Sequence, residues 1–219
     1  MKTRNVSIGY AALVALAFLM FGVVCVLFFA TVIAGCGGSG TGFDNGGGGG
    51  NGGGERIAAS FTGASNTEYG VAQNDSRGPL AQSFVGDGGR VTRASFNGYK
   101  ISGSPVGNFD VQIQSDTDGM PSGTVLTTSD AIATTNLSAT IAWQDWNFSN
   151  PNSFRAVPGV RYWLVLRKND RPYGPGEWWI AKANTNPDSY PPGRLISRAT
   201  NGTWQELGND ALFRVYTRQ

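Results

Sequence analysis

Two hydrophobic patterns divide the chain. Residues 6–34 form an apolar run without a charged side chain, whereas from Ile57 onward large apolar residues alternate with polar ones at a spacing of two. An alternation of that period predicts β-strands with one buried face and one wet face. No segment after Ile57 has a convincing helical period, so the pattern predicts an all-β domain.

Three segments indicate what kind of sheet to expect. Apolar and polar residues alternate over residues 109–114, which predicts a half-buried strand. Residues 160–166 carry large apolar side chains on both faces, which predicts a central strand that is covered on both sides. Between Trp143 and Trp146 the large residues change phase, which favours a β-bulge. We assign Trp143 and Trp163 to the interior, because tryptophan is highly buried on average.

Clusters of Gly, Pro, Asn and Asp separate these segments and predict turns. Short strands repeated at this spacing, about eight to ten of them, are typical of sandwiches made of two antiparallel sheets. The predicted fold is therefore an all-β, two-sheet sandwich of jelly-roll type, which follows an N-terminal apolar helix and a glycine-rich tether.

The N-terminal run ends in a short motif. Lys2 and Arg4 precede the run, and Ile33-Ala34-Gly35-Cys36 closes it. A basic start, an apolar segment and small residues at its end are typical of a secretory signal. The four-residue motif resembles the lipobox of bacterial lipoproteins. That resemblance implies that Cys36 becomes the lipidated first residue of an exported protein.

The length of the apolar run leaves a second interpretation open. Signal peptides use about 7 to 15 apolar residues, whereas about 20 are enough to span a bilayer. Residues 1–36 are therefore a cleaved lipoprotein signal or, alternatively, an uncleaved transmembrane anchor. In both cases the positive end stays inside. The remainder is then exported, anchored to the cell membrane or outer membrane, and faces the periplasm or the cell exterior.

A tether connects this segment to the β domain. Residues 37–54 contain twelve glycines among eighteen residues, and glycine gives a chain great conformational freedom with no side chain to pack. The predicted domain, residues 55–219, contains no cysteine and must be stable without a disulfide. About 165 residues are enough to bury a substantial core.

Charge and histidine content exclude several classes of function. Lys2 and Arg4 account for two of the 17 basic residues, and all 15 acidic residues follow Cys36, so the exported part is neutral. A neutral domain lacks the basic surface that nucleic-acid binding needs. The chain has no histidine, the most common general base and a common zinc ligand. We predict no nucleic-acid partner, no cofactor and no catalytic residue.

Several short segments of turn and core residues follow one another in a set order over residues 80–218. They are Gln82-Ser83-Phe84, Val111-Gln112-Ile113, residues 119–126, residues 158–165 and Phe213-Arg214-Val215-Tyr216. Because each segment is short, the specificity lies in their order and spacing. That order resembles the choice-of-anchor R type of exported bacterial β-sandwich domain, which implies a sandwich attached to the cell surface, without catalytic residues. The lipobox would replace the C-terminal sorting signal.

Two acidic patterns have a structural and a functional interpretation. Asp116 and Asp118 precede a glycine as in a calcium loop, but the full ligand spacing is missing and an ordinary turn is favoured. Asp145, Glu177 and Glu206 could supply the paired carboxylates of a polysaccharide-active enzyme. The sequence does not bring these three together, and scattered surface carboxylates are the favoured interpretation.

Aromatic residues are the strongest candidates for a binding face. Adjacent strand residues point to opposite faces, so one residue of the pair Trp178-Trp179 should lie outside the core, and exposed aromatic patches mark binding sites. We predict a non-catalytic cell-surface module that binds a glycan or an envelope protein. The alternatives are a polysaccharide-active enzyme, a structural envelope protein, and aromatics that only plug one end of the sandwich. The candidate ligand-binding residues are Tyr173, Trp178, Trp179, Tyr190 and Trp204.

Overall fold

The described part of the protein consists of strands and the loops that join them. The computed structural model describes residues 53–71, 78–101, 107–150, 154–169, 179–186, 190–199 and 201–219. Among these residues there is no α-helix, and the prediction of an all-β domain is confirmed. Within the same ranges no helix is both long and apolar enough to cross a membrane. Cys36, the predicted signal or anchor and nearly all of the predicted tether lie outside the described residues.

Fourteen strands are described. In chain order they are β1 (Arg56–Phe61), β2 (Thr67–Val71), β3 (Leu80–Val85), β4 (Arg90–Lys100), β5 (Asn108–Thr117), β6 (Met120–Thr128), β7 (Ile132–Ala133), β8 (Ala142–Asn147), β9 (Arg161–Lys168), β10 (Trp179–Asn184), β11 (Leu195–Arg198), β12 (Trp204–Glu206), β13 (Asp210–Ala211) and β14 (Phe213–Arg218). A short 3₁₀ helix, Thr134–Asn136, follows β7.

The strands form two antiparallel sheets of seven strands each. Sheet A has the order β1-β14-β4-β10-β13, with β2 paired to β10 and β8 paired to β4. Sheet B has the order β12-β11-β3-β9-β5-β6, with β7 paired to β5. The chain passes from one sheet to the other several times, for example from β3 in sheet B to β4 in sheet A and back to β5. The two-sheet sandwich is confirmed.

The inner faces of the two sheets pack against each other. Trp146 of β8 and Trp179 of β10 form the aromatic centre of this core, with ring centroids 5.7 Å apart in an edge-to-face arrangement. Burying each large apolar side chain stabilises the fold by about 1.5 to 3 kcal/mol. Further fully buried members are Phe96 and Phe213 from sheet A and Phe84, Phe109, Ile113, Leu164 and Leu166 from sheet B.

The prediction of a central, doubly covered strand is confirmed for β9. Leu164 and Leu166 belong to the main core between the sheets. Trp163 and Val165 are buried on the opposite side of the strand, in a separate small cluster. The interior position predicted for Trp163 is therefore correct, although its cluster lies on the outer face of sheet B.

The predictions for Trp143 are wrong. β8 pairs with β4 in unbroken register, from Ala142 opposite Gly98 to Asn147 opposite Arg93, so no bulge interrupts it. Because Trp146 points inward, Trp143, three residues earlier, points outward. There the guanidinium carbon of Arg214 lies 3.9 Å from the centroid of its ring. This cation–π contact gives the half-buried indole a partner outside the core.

Candidate functional site

A groove of about 560 Å³ crosses the outer face of sheet B. It extends from β6, at one edge of the sheet, to β12 at the other. Six strands lie side by side over that distance, which corresponds to about 24 Å at the usual strand spacing of about 4.8 Å. The groove is lined by Pro79, Gln112, Gln114, Pro121, Ser122, Gly123, Val125, Val165, Arg167, Lys168, Asn169, Arg198 and Trp204.

The floor of the groove contains two recessed amides. Gln112 and Gln114 of β5 alternate with inward-facing apolar residues, as the sequence predicted, yet they are only 9% and 7% exposed. The Gly123 N–H donates a hydrogen bond to Gln114 Oε1 (3.1 Å), and Gln114 Nε2 donates one to Gln112 Oε1 (3.0 Å). Buried polar groups need such partners. The chain of bonds fixes the direction of both amides before any ligand arrives.

A small apolar cluster lies beside these amides. Trp163, Val165 and Ile196 are buried in it, and Trp204 packs against it while staying partly exposed. The indole N–H of Trp163 donates a hydrogen bond to Asp116 Oδ1 (2.7 Å), so its polar edge has a partner. Apolar surface and fixed hydrogen-bonding groups therefore meet on the same outer face.

A charged pair holds the next position of the floor. Arg167 Nε donates to Asp110 Oδ1 (2.7 Å), and Arg167 Nη2 donates to Asp110 Oδ2 (3.1 Å). The Asp110 side chain is only 5% exposed. This bidentate bond fixes the plane of the guanidinium. It uses two of the five N–H groups that an arginine carries.

The hairpin of β11 and β12 supplies an aromatic side chain and a cation next to each other. Arg198 and Trp204 are directly opposite partners on the two strands, and the guanidinium carbon lies 5.9 Å from the indole centroid. The Gly202 N–H closes the connecting turn on the Ala199 carbonyl (2.9 Å), and Gly202 has a φ of +85°, which favours glycine. Arg198 Nε donates to the Gly202 carbonyl (3.0 Å), which directs the guanidinium.

Of the three predicted ligand-binding aromatics that the structure describes, Trp204 alone lines the groove. Tyr173 and Trp178 lie outside the described residues. Trp179 is fully buried between the sheets, so its assignment to a ligand is wrong. It is the inward member of its pair, and the core has room for it because a Cβ on Gly98 would approach its ring to 2.4 Å.

Tyr190 acts as a plug over part of the main core and does not line the groove. Its ring packs edge-to-face on core Phe213, with centroids 5.1 Å apart, and a Cβ on Gly193 would meet the ring at 2.2 Å. Burial raises the pKa of the Tyr190 hydroxyl, and the charge of nearby Asp210 raises it further. No residue of this plug lines the groove on sheet B.

A buried carboxylate links the two sheets beneath this plug. Asp210 of β13 accepts hydrogen bonds from Gln82 Nε2 of β3 (2.9 Å) and from the Tyr190 N–H (2.9 Å). Gln82 Oε1 in turn accepts the Ala211 N–H (2.8 Å). Burial raises the pKa of Asp210, and the two hydrogen bonds that it accepts only partly offset this effect. The arrangement is a structural clamp between the sheets.

The weak metal candidates occupy a turn. Asp116 Oδ1 accepts the Trp163 indole N–H, and its Oδ2 accepts the Gly119 N–H (3.2 Å). Asp118 is exposed with a φ of 52°, which suits a tight turn between β5 and β6. In the described part of the chain no group of three side chains is placed to hold a metal ion.

The three candidate carboxylates are not brought together. Asp145 lies on β8 in sheet A and is ion-paired with Arg93 (2.7 Å). Glu206 lies on β12 in sheet B and is ion-paired with Arg194 (2.6 Å). Glu177 lies outside the described residues. The described pair therefore sits on different sheets, each carboxylate with its own cation.

Sequence reasoning missed most of the groove. Arg167 and Arg198 belong to none of the segments singled out in the sequence, whereas Gln112 and Gln114 belong only to a predicted strand and, for Gln112, to the sandwich resemblance. Polar residues at alternate strand positions are ordinary in a half-exposed sheet. The pairing of β5 with β9 places the two glutamines beside Arg167, and the strand order β11-β3-β9 places Arg198 on the same sheet. Comparison with family models, with curated proteins and with solved structures found no match to this chain. The resemblance to the choice-of-anchor R type stays a prediction.

Proposed function

We propose that this chain is an exported, membrane-anchored sandwich of the choice-of-anchor type that binds a glycan without catalysis, through the groove on sheet B. The observation that carries the proposal is the bonded pair Gln114–Gln112, recessed beside Trp204 and its apolar cluster. A sugar ring has an apolar C–H face and a rim of hydroxyls. In the proposed complex the flat indole of Trp204 contacts the C–H face, and the fixed amides of Gln112 and Gln114 bind the hydroxyls.

The shape of the groove favours a linear glycan over a protein. Its amides lie below the surface, where a narrow chain reaches them and a flat protein surface does not. The length across six strands is sufficient for several linked sugars. Since the amides are already held by Gly123 and by each other, little side-chain entropy is lost when a ligand binds. Protein interface cores, by contrast, are depleted of charged residues, and this groove is lined by Arg167, Lys168 and Arg198.

Membrane attachment through Cys36 is the second part of the proposal. It would hold the groove at the surface where envelope or external glycans are found. Cells fed a labelled fatty acid should label the wild-type protein and leave Cys36→Ala unlabelled. Equal labelling of both proteins would contradict lipidation at this cysteine and favour the uncleaved transmembrane anchor.

The binding proposal is tested with two tryptophans that have similar surroundings on opposite sheets. Trp204 and Trp143 are both partly exposed, and each lies beside an arginine. The full-length protein in detergent is screened on a glycan array, and hits are quantified by calorimetry. Trp204→Ala should weaken binding by about tenfold or more, which corresponds to about 1.4 kcal/mol.

Trp143→Ala is the matched control and should bind like the wild type. Thermal unfolding, followed by near-ultraviolet circular dichroism, should be nearly the same for Trp204→Ala and the wild type. Absence of any glycan hit, or equal weakening by the two alanine variants, would contradict the proposal that the groove is the binding site.

A further inference from the structure

The charges around the groove are unbalanced, although the exported part of the chain is neutral. Among the described residues that line the groove there are three cations, Arg167, Lys168 and Arg198, and no carboxylate. A depression with one sign of charge attracts ligands of the opposite sign. This excess of positive charge is local to the groove. It therefore favours a negatively charged ligand, although the overall charge does not indicate one.

The three cations do not contribute equally. Arg167 is neutralised by Asp110 and serves mainly as a hydrogen-bond donor. Lys168 is buried and has interactions of its own, so the inference does not depend on it. Arg198 is exposed, and its Nε is bonded to the carbonyl of Gly202. Its two terminal nitrogens form the planar fork that binds carboxylates in a bidentate manner.

Three described carboxylates near the groove already have partners. Asp110 binds Arg167, Asp116 accepts the Trp163 indole N–H, and Glu206 binds Arg194 at 2.6 Å. None of these bonds involves Arg198. The Arg198 guanidinium is therefore not neutralised by any of these three carboxylates.

We propose that the groove selects an acidic glycan, with uronic-acid carboxylates recognised by Arg198 beside Trp204. This inference rests on the proposed glycan-binding function. The cross-strand pairing and the separation of 5.9 Å between the guanidinium carbon and the indole centroid put the cation within reach of a carboxylate on a sugar that contacts Trp204. The amides of Gln112 and Gln114 bind the neutral hydroxyls further along the chain.

The test uses two ligands that differ only at the carboxyl groups, which are charged in one and methyl-esterified in the other. Oligogalacturonate and its fully methyl-esterified form have the same backbone, and calorimetry measures their binding to the full-length protein in detergent at low salt. The acid should bind about tenfold more tightly than the ester. Raising the salt concentration should weaken the binding of the acid and leave the binding of the ester nearly unchanged, because screening acts on charges.

Arg198→Gln is the decisive variant. It should remove the preference for the acid, so that this variant binds the acid and the ester with about equal affinity. Arg214→Gln is the matched control, because Arg214 lies against Trp143 on the other sheet, and it should keep the preference. Equal affinity of the wild type for acid and ester, or an unchanged preference in Arg198→Gln, would overturn the inference.

The two proposals fail in different ways. If neutral glycans bind in a manner that depends on Trp204 and no acidic glycan is preferred, the acidic ligand is wrong and the glycan-binding function stands. If neither oligogalacturonate nor its ester binds and every glycan hit on the array is neutral, the acidic ligand is also wrong. If no glycan binds at all, the function itself is wrong, and the inference fails with it.

Discussion

The two outer faces of the sandwich contain similar types of residue, but the polar side chains differ in how far they are exposed. On sheet A the charged side chains pair with one another in the open. Arg93 contacts Glu55 (2.6 Å), Lys182 contacts Glu68 (2.6 Å), and both carboxylates remain partly exposed. Surface pairs of this kind contribute little to stability. This face therefore carries partly exposed ion pairs, although the buried Nε of Arg214 has no hydrogen-bond partner among the described residues.

On sheet B the outward polar residues of β5 are recessed, although Glu206 of β12 forms an exposed pair with Arg194. Gln112 and Gln114 are almost fully covered, and the Asp110 carboxylate is buried under its arginine. Both faces derive from the same alternation of apolar and polar residues. The difference between them teaches that the type of outward residue says little about a binding face, whereas the burial of an outward polar residue says a great deal.

The largest expected contrast comes from removing one carboxylate from each face. Asp110→Ala leaves Arg167, whose side chain is one-third exposed, without its bidentate partner. The free energy of unfolding should fall by about 3 kcal/mol, the low end for a broken buried pair, because the Arg167 side chain is one-third exposed. Glu68→Ala should lower it by less than about 1 kcal/mol, as for exposed pairs. Urea unfolding of the full-length variants measures both values.

Equal destabilisation by the two substitutions would break the comparison between the faces. Asp110→Asn serves as a control, since it keeps the size of the side chain and one acceptor oxygen. Its effect should lie between those of Asp110→Ala and the wild type. A loss as small as that of Glu68→Ala would mean that the floor of the groove is not held by this pair.

Local pattern was enough to predict part of this molecule. The alternation in β5 predicted its inward-facing residues, although its predicted wet face is buried as well. The apolar run in β9 predicted burial on both sides, because a side chain's face on a strand depends on its own neighbours in sequence. The interpretation of the phase change at Trp143 as a bulge was wrong. It placed Trp143 in the interior and did not consider that an outward tryptophan can pack against a side chain such as Arg214. Trp179 was misassigned for a related reason, since the sequence does not say which of two adjacent residues points inward.

The groove needed information that is not local. Gln112 lies opposite Val165 across the β5–β9 pair, and Arg198 lies opposite Trp204 across a hairpin. The first pairing joins positions more than fifty residues apart in the chain. An alternating pattern predicts on which face of a sheet a side chain lies, but it does not predict which strands lie next to each other. Trp204 was predicted from its residue type, and its cation and amide neighbours became visible only with the sheet order.

A second contrast concerns the two outward tryptophans. Trp163→Phe removes the bond to Asp116 and leaves a small void in a buried cluster, so the free energy of unfolding should fall by about 1 to 2 kcal/mol. Trp143→Phe removes part of a half-exposed ring and should change it by less than about 0.5 kcal/mol. Chemical unfolding monitored by circular dichroism compares them. If Trp143→Phe is the more destabilising substitution, Trp163 in the apolar cluster on sheet B is not packed more tightly than Trp143 on sheet A.

A third prediction concerns the pH dependence of stability that Asp210, in the interior between the two sheets, should cause. The pKa of Asp210 is raised by burial, so the folded state holds its proton to higher pH than the unfolded state does. Its contribution to stability should therefore fall as pH rises from the unfolded value of 3.8 through the folded pKa. Stability measured against pH should show this fall in the wild type and not in Asp210→Asn. Parallel curves for the two proteins would exclude an ionisation of this kind at Asp210.

The smallest effect is expected from Glu68 on the outer face of sheet A, and its sign is opposite. The hydrogen bond from Lys182 lowers the pKa of this carboxyl, burial opposes the shift, and the hydroxyl of Tyr99 adds to it. A lowered pKa means that the stabilisation is present above the unfolded value of 4.5 and is lost as pH falls through the folded pKa. Because the side chain is 41% exposed, solvent screening limits the effect to a few tenths of a kcal/mol.

Glu68→Gln should remove this acid-side loss and leave the neutral-pH stability almost unchanged. Moderate salt should reduce the wild-type effect as well, since both partners are near the surface. Unfolding measured between about pH 3 and pH 7 at two salt concentrations gives the difference between the two proteins. A difference as large as that for Asp110→Ala would show that sheet A also holds its charges in a water-poor setting. The contrast between a solvated face and a recessed face would then no longer hold.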